Sequence, residues 1–189
     1  MSKVIDLFIE ILCGDFDNQA QVEAEQKEGN QTHPYAKHIT RVCDDKILNS
    51  PVDLEGHYIL EESYYTYPDK ETEIKPLLFF IRNKSPNSVM LQSLIIPERL
   101  DKAEVINAND NLFFDYYELA INQKFGTAHY VMQDNAYFTT DHLCDFGNDT
   151  SFRLIETLAI DQLLVLELHS VSGKIITPYN TPIIYKKII

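Results

Sequence analysis

Between residues 35 and 188 the sequence runs as a series of strand-length segments, and this series limits the possible folds more than any motif does. The segments are 37–43, 55–67, 77–83, 89–96, 113–122, 128–133, 136–140, 152–159, 163–170, 174–177 and 182–188. Turn residues separate them. Ser85-Pro86-Asn87 precedes one strand, Asp134-Asn135 forms a tight hairpin link, and Pro97-Glu98-Arg99-Leu100 is a break with a helical turn near 100–105. These eleven segments, read as roughly nine to ten strands at about 8–12-residue spacing, make an antiparallel meander, which nature closes as a barrel or packs as a sandwich.

Segment 55–67, EGHYILEESYYTY, helps to choose between the two. Side chains alternate along a strand, so His57, Ile59, Glu61, Ser63, Tyr65 and Tyr67 share one face. Tyr58, Leu60, Glu62, Tyr64 and Thr66 share the other. Neither face is purely apolar or purely solvated. An ordinary edge strand with exposed Tyr and Glu gives the same pattern, as does the wall of a ligand-holding barrel. Charged positions recur on otherwise apolar faces at Arg41, Glu61, Arg82, Asp115, Arg153 and Glu167. A packed sandwich core tolerates few such groups, whereas a polar barrel cavity accommodates them. The expected fold is therefore mainly β: an antiparallel up-and-down barrel, with the LLFFI run of 77–81 buried on both faces.

Helices precede the strands. Ile5, Phe8, Ile9 and Leu12 fall at i, i+3, i+4 and i+7, which predicts a helix over 2–12 with Ser2 as N-cap. Gly14-Asp15 interrupts it. A second, mostly polar helix is expected over 17–27, capped by Asp17 and stopped at Gly29, and 28–34 is read as a loop. No repeat or linker divides the chain, so residues 1–189 are read as one domain.

The formal net charge of -13 repels nucleic-acid and anionic-membrane surfaces, and no basic run exceeds Lys186-Lys187. Cys13, Cys43 and Cys144 are odd in number and lack metal-ligand spacing, a pattern of a reducing compartment. The N-terminal apolar run is broken by Asp6 and Glu10, unlike a signal peptide, and no stretch approaches transmembrane length. A cytoplasmic protein is expected. Glycine-rich phosphate loops, G-x-S-x-G, H-E-x-x-H and C-x-x-C are all absent. His33, His38 and His57 are candidate bases, although lone histidines on strands are more often hydrogen-bonded structural residues. Cys43 and Cys144 read as small apolar fillers.

Several short motifs recur in an order that resembles one family. Residues 14–21, GDFDNQAQ, resemble the G-x-F-S-N-x-x-Q segment that ends the first helix of T-type phycobiliprotein chromophore lyases. Residues 56–62, GHYILEE, fall where that family has G-x-W-L-Y-V-E-Q, and Glu61 matches its glutamate. Residues 97–100, PERL, resemble its P-x-R-L element, and Phe125-Gly126 its F-x-G turn, shortened. Gly173 and the TPIIYK of 181–186 resemble its ending G…G-P-Y-x-F-x-K. The chain departs from the family in four places. TEIKPL stands at 72–77 where the family has P-Y-R-Q-R, and positions near Tyr116 and Tyr130 replace its two mid-chain cysteines. The D-R-G segment is not recognisable in 167–173, and the aromatic of the E-x-W-L-Y strand is redistributed.

The resemblance implies a calycin-like barrel that holds a linear tetrapyrrole (a bilin, expected to be phycoerythrobilin) and attaches it to a cysteine of a phycobiliprotein β-subunit. The bilin would be substrate, with no tightly bound cofactor and no metal. Family members tend to dimerise, which makes a homodimer an expectation. Such lyases occur in organisms with phycobilisomes and in viruses that infect them, and the sequence fits the second origin. Glu61 is the implied catalytic carboxylate, stabilising the protonated, more electrophilic pigment. Arg41, Lys75, Arg82, Arg99 and Arg153 are available for the two propionates. Tyr65, Tyr116 and Tyr137 would shape the cavity, and Asn18 completes the implied contact set. Two other functions compete: a bilin carrier that transfers nothing, kept open by the lost P-Y-R-Q-R arginines, and an acidic interaction module without a ligand.

Overall fold

A computed structural model describes residues 3–67 and 70–188; the expected N-cap Ser2 lies outside them. Helix α1 (Lys3–Leu12) buries Val4, Ile5, Phe8, Ile11 and Leu12. These positions repeat every three or four residues and form one apolar stripe. The next residues do not simply separate two helices, as the sequence had indicated. Gly14–Asp17 is strand β1, with Phe16 fully buried. Helix α2 (Gln19–Lys27) then begins two residues later than expected, with its cap one residue later: Asn18 is its N-cap, and the Asp17 carboxylate accepts from Gln19 N at 3.2 Å.

Nine further strands complete the barrel. They are β2 (Tyr35–Val42), β3 (His57–Thr66), β4 (Glu73–Ser85), β5 (Ser88–Ile95) and β6 (Thr127–Gln133), then β7 (Tyr137–Gly147), β8 (Thr150–Ala159), β9 (Gln162–Val171) and β10 (Ile183–Lys187). Each pairs antiparallel with its neighbours in sequence, and β10 pairs with β1. The ten strands thus close into an up-and-down, calycin-like barrel without a free edge. Tight turns hold the meander in register. Asp134 and Asn135 take φ of 50° and 55°, the left-handed pair of a type I′ hairpin between β6 and β7. Gly56, at the entrance to β3, is needed for close approach: a Cβ there would lie 2.4 Å from the Phe80 ring and 2.5 Å from the Ile81 carbonyl oxygen.

Two apolar clusters lie on opposite sides of the barrel wall. The inner one joins α1 to Ile59, Ile81, Val89, Tyr130, Phe138, Leu158 and Val165. Phe8 sits at its centre, with its ring 5.0 Å from Tyr130 and edge-on to Phe138. Helix α1 therefore plugs part of the barrel interior. The outer cluster packs Val105, Leu112 and Phe114 over Tyr58, Leu60, Leu78, Phe80 and Leu94. This explains the apolar LLFFI run, which has cover on both sides. The cover is a strap, residues 97–119, and it differs from expectation. Instead of a strand over 113–122, only Phe114–Asp115 and Ala120–Ile121 are extended. A 3-10 turn, Tyr116–Glu118, separates them, capped when Asp115 accepts from Tyr117 N at 3.0 Å. Asp115 therefore lies in the outer strap and not in the cavity. Among the described residues no helix is long and apolar enough to cross a membrane.

Candidate ligand chamber

The barrel interior beyond the α1 plug is a cavity of about 310 Å³. Its wall is mainly apolar: Leu77 and Phe79 from β4, Leu91 from β5, Ala128 from β6, Phe152 and Leu154 from β8, and Phe125 from the preceding turn. Polar side chains are few: Ser63, Tyr65, Lys75, Ser93, His142, Glu167 and His169, with Cys144 beside them. A second chamber of about 180 Å³ shares Tyr65, Lys75, Glu167 and His169 with the first and adds Tyr67, Thr177 and Tyr179. The segment that follows β9 is held over it by backbone and hydroxyl bonds. Thr177 Oγ1 accepts from His169 N at 2.8 Å and donates to the Glu167 carbonyl at 3.1 Å.

Three carboxylates enter the interior from different walls. Glu61 on β3 accepts from Ser63 Oγ at 2.9 Å and from Thr40 Oγ1 at 3.4 Å, and His38 Nδ1 lies 3.8 Å away. Thr40 is directly opposite Glu61 in the β2–β3 register, so strand pairing places both on the inner face. Half a circuit away, β8 carries Glu156, which accepts from the Tyr130 hydroxyl. On β9, Glu167 pairs across from Leu154, one pleat along the inner face from Glu156. Burial pushes the Glu156 carboxyl up to about 8; the Tyr130 hydrogen bond opposes this, and the nearby Glu61 and Glu167 add to it. Burial likewise raises Glu167 to about 7, with Lys75 opposing and Glu61 adding. Tyr65, Tyr130 and Tyr185 are held well above the ordinary phenol range, chiefly by burial. Burial keeps His38 toward its neutral form against the pull of Glu61, and its Nε2 has no hydrogen-bond partner among the described residues.

This geometry sorts the residues singled out from the sequence. Glu61, Tyr65 and Lys75 lie on the inner face, with Lys75 Nζ 5.3 Å from the Tyr65 ring centre. The four arginines do not reach the interior. On β2 the inward residues are Ala36, His38 and Thr40, so Arg41 points out and binds Asp15 and the Thr40 carbonyl. Arg82 alternates with inward Ile81 and donates to Met90 Sδ at 3.0 Å on the outer surface. Arg99 belongs to the strap and pairs with Glu118 at 2.8 Å. Arg153 alternates with cavity-lining Phe152 and Leu154 and forms a two-pronged pair with Asp141 at 2.7 and 2.6 Å. Tyr116 packs on the outer cluster, and Tyr137 points away from inward Phe138. Asn18 is buried but structural: its Nδ2 donates to the Pro34 carbonyl at 2.9 Å, and its Oδ1 accepts from Ala36 N at 2.7 Å.

The other candidates from the sequence also divide. His33 bonds Glu25 and the Thr181 carbonyl, tying α2 to the C-terminal segment. His57 bonds Asp44 at 2.7 Å. Only His38 faces the carboxylates. Cys43 is fully buried and its thiol is pushed up to about 12 by burial and then by Asp44. Cys144 lines the chamber, with its thiol also raised by burial. Among the described residues no cluster of three or more His, Cys, Asp or Glu is placed to hold a metal ion.

Sequence reasoning had weighed His38 as a base and had counted Glu167 among the cavity charges without giving it a role, and it had not made site residues of Glu156 or Tyr130. A signal for the two glutamates was present. In β8 the alternate residues Phe152, Leu154, Glu156 and Leu158 are apolar but for one carboxylate. In β9 Leu163, Val165, Glu167 and His169 repeat the pattern.

The fold and its interior define a closed, ligand-sized calycin-like barrel. Among solved structures it is similar to the T-type phycobiliprotein lyase CpeT from Prochlorococcus phage P-HM1, at 13% identity over 100% of both chains with a TM-score of 0.55. The two proteins share a fold along their whole length. No family model matches the sequence, and no curated protein matches it either.

Proposed function

We propose that the barrel binds a linear tetrapyrrole and acts as a bilin lyase. The observation that carries this reading is the chamber itself: apolar walls, with the Glu167 carboxylate and the Lys75 ammonium at the junction with the second chamber. A bilin is flat and conjugated, with N–H donors along one edge and two propionates. Phe79, Phe125, Phe152 and the leucines suit its rings. Glu61 and Glu167 suit its N–H groups, and Lys75 suits a propionate. The full-length likeness to a T-type lyase supports the same reading. Phycoerythrobilin is the proposed pigment, a cysteine of a phycobiliprotein β-subunit the proposed acceptor, and the cytoplasm of a phycobilisome-containing cell the proposed setting. Glu61 keeps its proposed role of stabilising the protonated pigment.

Mixing the protein with phycoerythrobilin tests the binding step. A shifted and strengthened visible absorbance is expected, and an unchanged spectrum would rule the reading out. Adding the β-subunit then tests transfer, read as acid-stable pigment with zinc-enhanced fluorescence on that subunit. One observation favours a second reading, a carrier that binds pigment without attaching it. Lys75 is the only lysine or arginine lining either chamber among the described residues, so one propionate lacks a cationic partner inside the barrel. Bound pigment that never becomes acid-stable on the acceptor would establish the carrier.

A further inference from the structure

Glu61 is the carboxylate that the lyase-like motif singles out, yet it does not line the chamber's main wall. Glu167 does. It lies in the wall common to both chambers, beside Lys75, Tyr65 and His169. A ligand that fills either chamber meets this carboxylate. Its neighbours are of two kinds. Lys75 from β4 favours its charged form, while Glu61 from β3 disfavours it; Glu156 on β8, one pleat along the inner face, is itself raised by Glu167. The other titratable groups facing it are phenols that hold their protons: Tyr65 and Tyr67, Tyr185 from β10, and Tyr179 from the segment over the second chamber. His169, two residues along β9, is lowered by burial and then by Lys75 and Lys124, which favours its neutral form. Glu167 is thus set between one cation and two acids at the surface that a ligand touches.

We propose that Glu167 is the residue through which the barrel exchanges protons with its ligand, with Glu156 behind it setting the balance. The inference rests on the bilin reading and deepens it. In thioether formation the acceptor's S–H bond breaks and a C–S bond forms at the ethylidene carbon. The ethylidene π pair passes into the conjugated system and is quenched by one proton. Glu167 supplies that proton and recovers the one lost by the thiol, so the addition is neutral overall and needs no oxidant or reductant. Placement supports this assignment over Glu156, whose oxygen is already committed to the Tyr130 hydroxyl.

The test is a pH titration of the visible spectrum of phycoerythrobilin bound to the full-length protein. The wild type is expected to hold the protonated, red-shifted pigment and lose it in one transition. Glu167→Gln should move that transition by at least about one pH unit, a tenfold change in proton affinity. Glu156→Gln should move it less, and Glu104→Gln on the outer strap should leave it in place. Glu167→Asp retains the acid and should bring the transition back toward the wild-type position. Wild-type protein that leaves the spectrum of added pigment unchanged overturns the bilin reading and this inference together. Wild-type binding with an unmoved transition in Glu167→Gln overturns the inference alone. If Glu167→Gln does not fold, Glu167→Leu, which suits the apolar wall, decides by the same measure: bound pigment with an unmoved transition overturns the inference.

Discussion

Glu61 and Glu62 are adjacent on one strand, yet they belong to different regions of the molecule. Glu61 faces the barrel interior, where two hydroxyls and a more distant imidazole leave part of its hydrogen-bonding capacity open. Glu62 faces the outer wall and is 3% exposed. It accepts from Asn107 N at 2.7 Å, from Asn107 Nδ2 at 2.8 Å and from the Tyr64 hydroxyl. Asn107 also reaches the Ile39 and Leu60 carbonyls, so Glu62 anchors the strap to the wall. The inner carboxylate keeps hydrogen-bonding capacity uncommitted, and the outer one is consumed by structure. A buried acid is thus not in itself a functional acid; what matters is whether its lone pairs already have partners.

The division between chamber and wall can be broken at several points. The largest expected effect is on the plug. Phe8→Ala removes a fully buried ring from the inner cluster and should cost about 3–5 kcal/mol, read by chemical denaturation. A loss under about 1 kcal/mol would mean that α1 does not seal the barrel.

Next comes pH. Glu156 has a folded value of about 8, above its ordinary 4.5. Between those values the unfolded chain ionises while the folded chain keeps the proton, so this group makes stability fall as pH rises across the window. Glu167 acts in the same direction up to about 7. Glu156→Gln should therefore stabilise the protein at pH 8, on the order of a few kcal/mol, and the gain should vanish near pH 4.5. Equal stability of the two proteins at both pH values would show that Glu156 is not held in its acid form.

The paired test is Glu62→Ala against Glu61→Gln. Loss of Glu62 leaves the Asn107 backbone N–H and the Tyr64 hydroxyl without their acceptor and should cost about 2–3 kcal/mol. Glu61→Gln can keep its hydroxyl partners and should change stability by less than about 1 kcal/mol, while altering the bound-pigment spectrum. The reverse ranking would undo the distinction between the two acids. The smallest effects concern the cations. Lys75→Ala should weaken pigment binding about tenfold, the loss of one charge-assisted contact. Replacing Arg41, Arg82, Arg99 or Arg153 by Ala should leave it unchanged, since all four are engaged outside the chamber.

Much of the fold was legible in advance because alternation and turn chemistry are local. The strands of the meander, the amphipathic α1 and the Asp134-Asn135 hairpin are examples. Strand β1 was not legible. Its four residues form a strand only because β2 and β10 flank them and the ring needs closing. The strap was misread because its apolar residues resemble a strand, but they pack on the outer wall as irregular chain.

The site divided along the same line. Composition and motif pointed to Glu61, Tyr65 and Lys75. The arginines were chosen by type, and strand parity turned every one of the three on barrel strands outward.

The sequence by itself determined the class of fold, since side-chain alternation and turn residues act within a few positions of one another. It also determined which face of each strand is which. Only the tertiary structure decided which face lies inside, because that depends on how ten strands close around α1 and where the strap lies. Closure brought Glu61 to the same interior as Glu156 and Glu167, which lie on strands distant from it in sequence. Their convergence on one interior, and not their chemical identity, makes them unlike the other acids of this acidic chain.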